Sequence, residues 1–102
     1  MSSNSEKRAT RHEIAEKLTE ARRELREQEQ TLARLKYEWS IAKRLRRKAH
    51  NEEEREQWHV QSDAYMGMVL QQESAIEETK ESIRCHQVKL SELETRSADG
   101  TQ

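Results

Sequence analysis

The feature that most constrains this chain is the near absence of residues that break a helix. Its 102 residues contain no proline, and its two glycines are Gly67 and Gly100. A β-rich fold needs turns, which glycine, proline or Asn-Gly pairs mark in a sequence. Charged residues make up 38% of the chain, against an average of about 25%. Because high charge without helix breakers is typical of long solvated helices, we predict an all-α protein.

Apolar residues recur at alternating steps of four and three, which is the heptad spacing of a coiled coil. In the first half the two core columns are Leu18, Leu25, Leu32 and Trp39, and Ile14, Ala21, Gln28, Leu35 and Ala42. In the second half they are Val69, Ile76, Ile83 and Leu90, and Trp58, Tyr65, Gln72, Thr79, His86 and Leu93. The pattern predicts one packed seam in each half of the chain.

The charge changes sign at the middle of the chain. Residues 1–50 hold 14 Lys and Arg against 8 Asp and Glu, whereas residues 51–102 hold 5 against 12. The basic run Lys43–Lys48 suits a helix C-terminus, Asn51 suits an N-cap, and Glu52–Glu54 suit a first turn. The alternative, one helix of about ninety residues, would be about 135 Å long. We therefore predict a long antiparallel helical hairpin, completed to a bundle by dimerisation or by a partner subunit.

The sequence also predicts boundaries and a register. We expect a disordered N-terminus at 1–5, helix 1 at 6–49, a turn at 50–51, helix 2 at 52–97 and a disordered C-terminus at 98–102. Residues that face each other should then have numbers that sum to about 100 or 101. The predicted pairs are Leu18 with Ile83, Leu25 with Ile76, Leu32 with Val69, and Gln28 with Gln72. A pair of polar residues inside the seam fixes the alignment at some cost in stability.

The strongest functional signal is apolar and lies near the predicted turn. Tyr37, Ile41 and Leu45 recur every four residues beside the seam of helix 1. A two-helix hairpin buries one stripe per helix, so a second stripe needs a partner or stays exposed. The alternative is a wider intramolecular seam. The predicted protein-interface residues are Leu35, Tyr37, Trp39, Ile41, Leu45, Trp58, Val60, Tyr65, Met66, Met68 and Leu70.

The basic run has two interpretations. Five cations in six residues fit a nucleic-acid-binding patch or a nuclear-import signal. The structural interpretation is a helix end whose cations complement the helix dipole and pair with glutamates across the turn. The latter is favoured, because nucleic-acid binding calls for basic residues along a whole face. The residues concerned are Lys43, Arg44, Arg46, Arg47 and Lys48.

Catalytic and metal chemistry find little support in the sequence. His12, Cys85 and His86 come together in the predicted register, but adjacent residues on a helix diverge and do not make paired zinc ligands. Two helices form no cleft, and no glycine-rich phosphate loop is present. We predict no enzyme activity, no metal, no cofactor and no small-molecule substrate.

Cys85 is the only cysteine, and no apolar signal segment opens the sequence. These features predict a reducing compartment, the cytosol or the nucleus, and no membrane association. The predicted function is a non-catalytic coiled-coil adaptor or assembly subunit that binds a protein partner, or itself, near the hairpin tip. The alternatives are a nucleic-acid-binding helical dimer and a small helical chaperone of an assembly system.

Overall fold

A computed structural model describes the backbone of residues 2–100 and the side chains of residues 10–95. Two helices, α1 at Ser2–Arg47 and α2 at Glu52–Gly100, are joined by the short connection 48–51. They contact each other as an antiparallel hairpin, and the described residues contain no strand. The predicted all-α hairpin is therefore confirmed.

The helix bounds differ from the predicted ones at three of four ends. Helix α1 begins at Ser2 instead of residue 6 and ends at Arg47 instead of residue 49. Helix α2 begins at Glu52 as predicted but continues to Gly100 instead of ending at residue 97. Without proline, the polar residues at each end cost less than about 1 kcal/mol per residue in helix propensity and do not force a stop. Residues 1, 101 and 102 lie outside the described residues.

Hydrogen bonds at Asn51 fix where α2 begins. The backbone N–H of Glu54 donates to Asn51 Oδ1 at 2.8 Å, and the N–H of Arg55 donates to the Asn51 carbonyl at 3.1 Å. In return, Glu54 Oε2 accepts a bond from the N–H of His50 at 3.2 Å. This arrangement resembles a capping box, shifted by one residue. The predicted N-cap is confirmed, and the cap stops α2 from extending back toward α1.

The first of two compact units pairs the chain up to Arg26 with the chain from Glu78 onward. Its core is a cluster of Leu18, Ala21 and Ile83, with Leu25 and Leu90 packed against it. The predicted approach of Leu18 to Ile83 is therefore confirmed.

The second unit is the continuous segment Glu27–Glu77, which contains the turn. Its buried apolar residues are Ala42, Val69 and Ile76. Gln72 Nε2 donates to the carbonyl oxygen of Gln28 at 3.1 Å, so these two residues meet as the register predicts. The contact runs from the side chain of Gln72 to the backbone of Gln28.

The buried apolar core is small. Among the described side chains the buried hydrophobic residues are Leu18, Ala21, Ala42, Val69, Ile76 and Ile83. Two of these are alanines, which bury a single methyl group each. None of the described large side chains is fully buried. Since apolar burial is the main favourable term in folding, each of the two units has little apolar burial to stabilise it on its own.

Candidate protein-interaction surface

The predicted interface residues divide into exposed and half-buried ones. The exposed ones are Tyr37 at 67%, Val60 at 59%, Leu70 at 59%, Met68 at 47% and Met66 at 42%. The half-buried ones are Leu35, Trp39, Ile41, Leu45, Trp58 and Tyr65. All of them belong to the second unit, near the turn. Exposed apolar side chains gathered in one part of a chain are characteristic of an interaction surface.

Trp39 is held inside the hairpin. Its indole Nε1 donates to Ser62 Oγ on the facing helix at 3.2 Å, and the Lys43 ammonium lies 3.9 Å from the centre of its ring. Ser62 is buried, although it was not predicted as a seam residue. The available signal was its position seven residues before Val69, in the same heptad column. Trp39 therefore packs mainly within the intramolecular seam.

An ion pair between Lys36 and Glu73, 4.0 Å apart, identifies one side of the seam. Both residues occupy heptad position e when Leu32 and Trp39 of α1, and Ser62 and Val69 of α2, are given position a. In an antiparallel pair of helices, position e of one helix lies beside position e of the other, and position g lies beside position g. Positions e and b therefore lie on the side of this ion pair, and positions g and c lie on the opposite side.

On the side of the ion pair, α2 carries an acidic flank. We use this name for Glu52, Glu56, His59, Asp63, Met66, Leu70, Glu73 and Glu77, which occupy positions e and b. Five of these eight residues are acidic, and they surround the exposed Met66 and Leu70. Two apolar side chains among so many carboxylates make a poor contact surface, because the charges would have to be desolvated.

The opposite side of α2 carries an uncharged flank. We use this name for Gln57, Gln61, Ala64, Met68, Gln71 and Ala75, which occupy positions g and c. The segment 57–72 contains one residue with a formal charge, Asp63, in a chain that is 38% charged. Protein interfaces are depleted of charged residues at their core. This flank was not predicted from the sequence, although the low local density of charge is visible there.

A groove and a ridge complete the surface beside the uncharged flank. The groove has a volume of 580 Å³ and lies along α2. Its lining residues are Glu53, Glu56, Gln57, Trp58, Val60 and Gln61. On α1, we name Tyr37, Ile41 and Leu45 the α1 ridge, because they occupy positions f, c and g, one turn apart. The predicted interface residues thus lie on different faces, with Met66 and Leu70 away from the groove.

The basic run is exposed at the end of α1. Apart from Lys43, which packs on Trp39, its cations form no ion pair among the described side chains. The expected pairing with glutamates across the turn is therefore wrong for Arg44, Arg46, Arg47 and Lys48. Ordering two long exposed side chains costs about as much as the pair returns in water. Arg44, Arg46 and Arg47 lie in the last turn of α1, where positive charge interacts favourably with the helix dipole.

Acidic residues surround part of this run. Arg46 shares a groove of 580 Å³ with Glu52, Glu53, Arg55, Glu56 and His59. Because several carboxylates lie beside the guanidinium, a phosphate bound there would meet repulsion as well as attraction. This environment makes the cluster less suited to anion binding than the sequence of the run suggests.

The histidine and cysteine side chains contact residues of their own helices. His12 Nε2 lies 2.9 Å from Glu16 Oε1, and His86 Nε2 lies 3.3 Å from Ser82 Oγ. Cys85 is exposed, with its thiol 3.9 Å from a carboxylate oxygen of Glu81. No three His, Cys, Asp or Glu side chains within residues 10–95 are placed to hold a metal ion.

Among the described side chains of the first unit, one exposed large apolar residue was not predicted from the sequence. Val88 is 56% exposed on α2, and its neighbours on the surface include Arg84, Lys89 and Glu92. A single valine among charges is ordinary for a protein surface. It resembles Val60 in residue type, exposure and heptad position, so it provides a control for Val60.

Comparison of the chain with family models, with curated proteins and with solved structures found no match. In the part of the chain that the structure describes, neither helix has a stretch both long enough and apolar enough to span a membrane.

Proposed function

We propose that this chain is a non-catalytic coiled-coil adaptor or assembly subunit that binds protein through the second unit. The observation that carries the proposal is the uncharged flank beside the groove at Trp58 and Val60. In a chain this highly charged, six neighbouring uncharged positions on one side of a helix need a physical reason. Contact with another protein supplies one, because charge is costly to bury at an interface.

The thin core supports the same function. Few large apolar side chains are buried within the hairpin, whereas Tyr37, Val60 and Met68 remain exposed. Each apolar side chain that a partner covers fully contributes roughly 1.5–3 kcal/mol. Small folds that lack a sufficient core gain stability by association. As part of the proposal we place the protein in the cytosol or the nucleus, since a single cysteine suits a reducing compartment.

A matched pair of substitutions tests the proposal. Val60→Glu and Val88→Glu change the same residue type at 59% and 56% exposure, at the same heptad position of α2. We would capture the tagged full-length chain from cells and identify by mass spectrometry the proteins that stay bound, including untagged copies. We expect Val60→Glu to lose the bound protein and Val88→Glu to retain it. Equal recovery with both variants would contradict the proposed surface.

Nucleic-acid binding is the second candidate, because Arg44, Arg46, Arg47 and Lys48 are exposed and lack ion pairs among the described side chains. Binding through phosphates would weaken steeply with salt. The slope of the logarithm of the binding constant against the logarithm of salt concentration is roughly the number of phosphates neutralised, with a negative sign. We expect the variant with Arg44, Arg46 and Arg47 changed to Glu to keep its protein partner. If that variant instead lost a salt-sensitive nucleic-acid complex while Val60→Glu kept it, the second candidate would replace the first.

A further inference from the structure

We infer that the protein bound at this surface is a second copy of the chain, and this inference rests on the proposed function. The two hairpins stack through the α1 ridge and the uncharged flank and form a four-helix bundle. Each α1 lies on the other copy's α2, and the two hairpin tips point the same way. Apart from Glu56, which lines the groove, the acidic flank stays in water.

Charge selects this arrangement over the others. In the second unit, residues 27–47 of α1 carry six basic and three acidic residues, whereas residues 52–77 of α2 carry seven acidic and one basic. Stacking α1 on α1 and α2 on α2 brings like charges together. Stacking each α1 on the other copy's α2 brings opposite charges together. With two hairpins face to face, a two-fold axis along the hairpin produces the second arrangement.

The register determines which side chains meet. The bonds from Trp39 to Ser62 and from Gln72 to Gln28 show that facing residues have numbers summing to about 100. A two-fold axis along the hairpin keeps each residue at the same height in both copies. Ile41 of the α1 ridge therefore lies level with the partner's Val60, and Tyr37 lies level with the partner's Ala64.

This contact accounts for several exposed side chains together. The α1 ridge crosses the groove lined by the partner's Trp58, Val60 and Gln61, and the same contact repeats by symmetry. Tyr37, Val60 and Met68, each at least 47% exposed in the single chain, become covered. Ala64 leaves room for Tyr37, because its side chain is a single methyl group.

Sedimentation equilibrium of two matched variants tests the surface. Ala64→Glu places a carboxylate in the contact, and Ala33→Glu places the same group at an exposed position of α1 on the opposite side. We expect the unmodified chain and Ala33→Glu to be dimers. We expect Ala64→Glu to lose about a hundredfold or more in association constant, since an unpaired buried charge costs several kcal/mol. A monomeric unmodified chain, or equal association of both variants, would overturn the inference.

Cross-linking tests the direction of the axis and needs no destabilising change. Cysteines replace Gln61 and Met68, one at a time, in a Cys85→Ser background, and a short bis-maleimide joins those that lie close. A two-fold axis along the hairpin brings each of these g positions near the same position of the second copy. Both variants should therefore cross-link. An Asp63→Cys control on the acidic flank should not. Cross-linking at Asp63, or at one g position alone, would contradict the arrangement.

The two proposals fail differently. If the unmodified chain sediments as a monomer while Val60→Glu still abolishes capture of another protein, the interaction surface stands and the second copy is wrong. If the chain is monomeric and nothing depends on Val60, both proposals fall.

Discussion

The indole nitrogen of Trp39 donates a hydrogen bond to the hydroxyl oxygen of Ser62 across the two helices, at a distance of 3.2 Å. Ser62 is buried and Trp39 is half-buried, so the bond satisfies a polar atom in a largely apolar seam. It also aligns the helices, because Trp39 can reach this partner in one register only. This hydrogen bond thus sets the heights at which the α1 ridge and the groove lie.

Removing the acceptor tests this role. We expect Ser62→Ala to lower the free energy of unfolding by roughly 1–3 kcal/mol, because the indole N–H loses its partner in a buried site. Urea denaturation at a fixed protein concentration measures the change. Ser74→Ala removes an exposed hydroxyl from the same helix and should change stability by less than about 0.5 kcal/mol. Similar losses in both variants would show that the bond does not hold the seam.

The N-cap of α2 makes a second prediction. Asn51→Ala removes the oxygen that accepts the N–H of Glu54 at 2.8 Å and should cost about 0.5–2 kcal/mol of stability. Asn51→Asp keeps an acceptor in place and should stay within about 0.5 kcal/mol of the unmodified chain. Thermal unfolding followed by circular dichroism at one concentration compares the two. A loss as large in Asn51→Asp as in Asn51→Ala would rule out the cap as the cause.

Gly67 lies in the interior of α2, and a Cβ atom added there meets no other atom within 4 Å. Its φ angle is not positive, so the backbone does not require glycine. We expect Gly67→Ala to raise the free energy of unfolding by about 1 kcal/mol, the usual difference between these residues in a helix. Ala33→Gly, at an exposed position of α1, should lower it by the same amount. A destabilised Gly67→Ala would mean that a neighbour fills that space.

The core of the first unit makes a fourth prediction. Ile83→Ala creates a cavity beside Leu18 and should cost roughly 2–5 kcal/mol. Val88→Ala, at an exposed position of the same helix, should change stability by less than about 0.5 kcal/mol. Denaturant titration of both variants measures the difference. Comparable effects would show that the seam of this unit does not depend on Ile83.

The heptad columns and the sign change of charge were sufficient to predict the fold. The hairpin, the N-cap at Asn51 and the pairing of Leu18 with Ile83 are all present. These features depend on local chemistry, on backbone caps and on the spacing of apolar residues, all of which can be read from sequence. The outer helix ends were harder to predict, because polar residues without proline neither continue nor stop a helix strongly.

The candidate surface was predicted less well. Apolar residues near the turn were identified from the sequence. Their division between the two sides of α2 was not, because it depends on which side of the seam each heptad position lies, and the ion pair between Lys36 and Glu73 identifies that side. Ser62 was missed because a small polar residue at a core position looks like a surface residue until Trp39 is seen to bond to it. The uncharged flank was missed because its glutamines are polar, and only the absence of charge distinguishes them.

The central claim is that this chain completes its core by association with a second copy. Thermal unfolding of the unmodified full-length chain, followed by circular dichroism across a hundredfold range of concentration, tests it most directly. A dimer gains about 2.7 kcal/mol over such a range, so the midpoint temperature should rise steadily with concentration. A midpoint that stays constant across the whole range would contradict the claim.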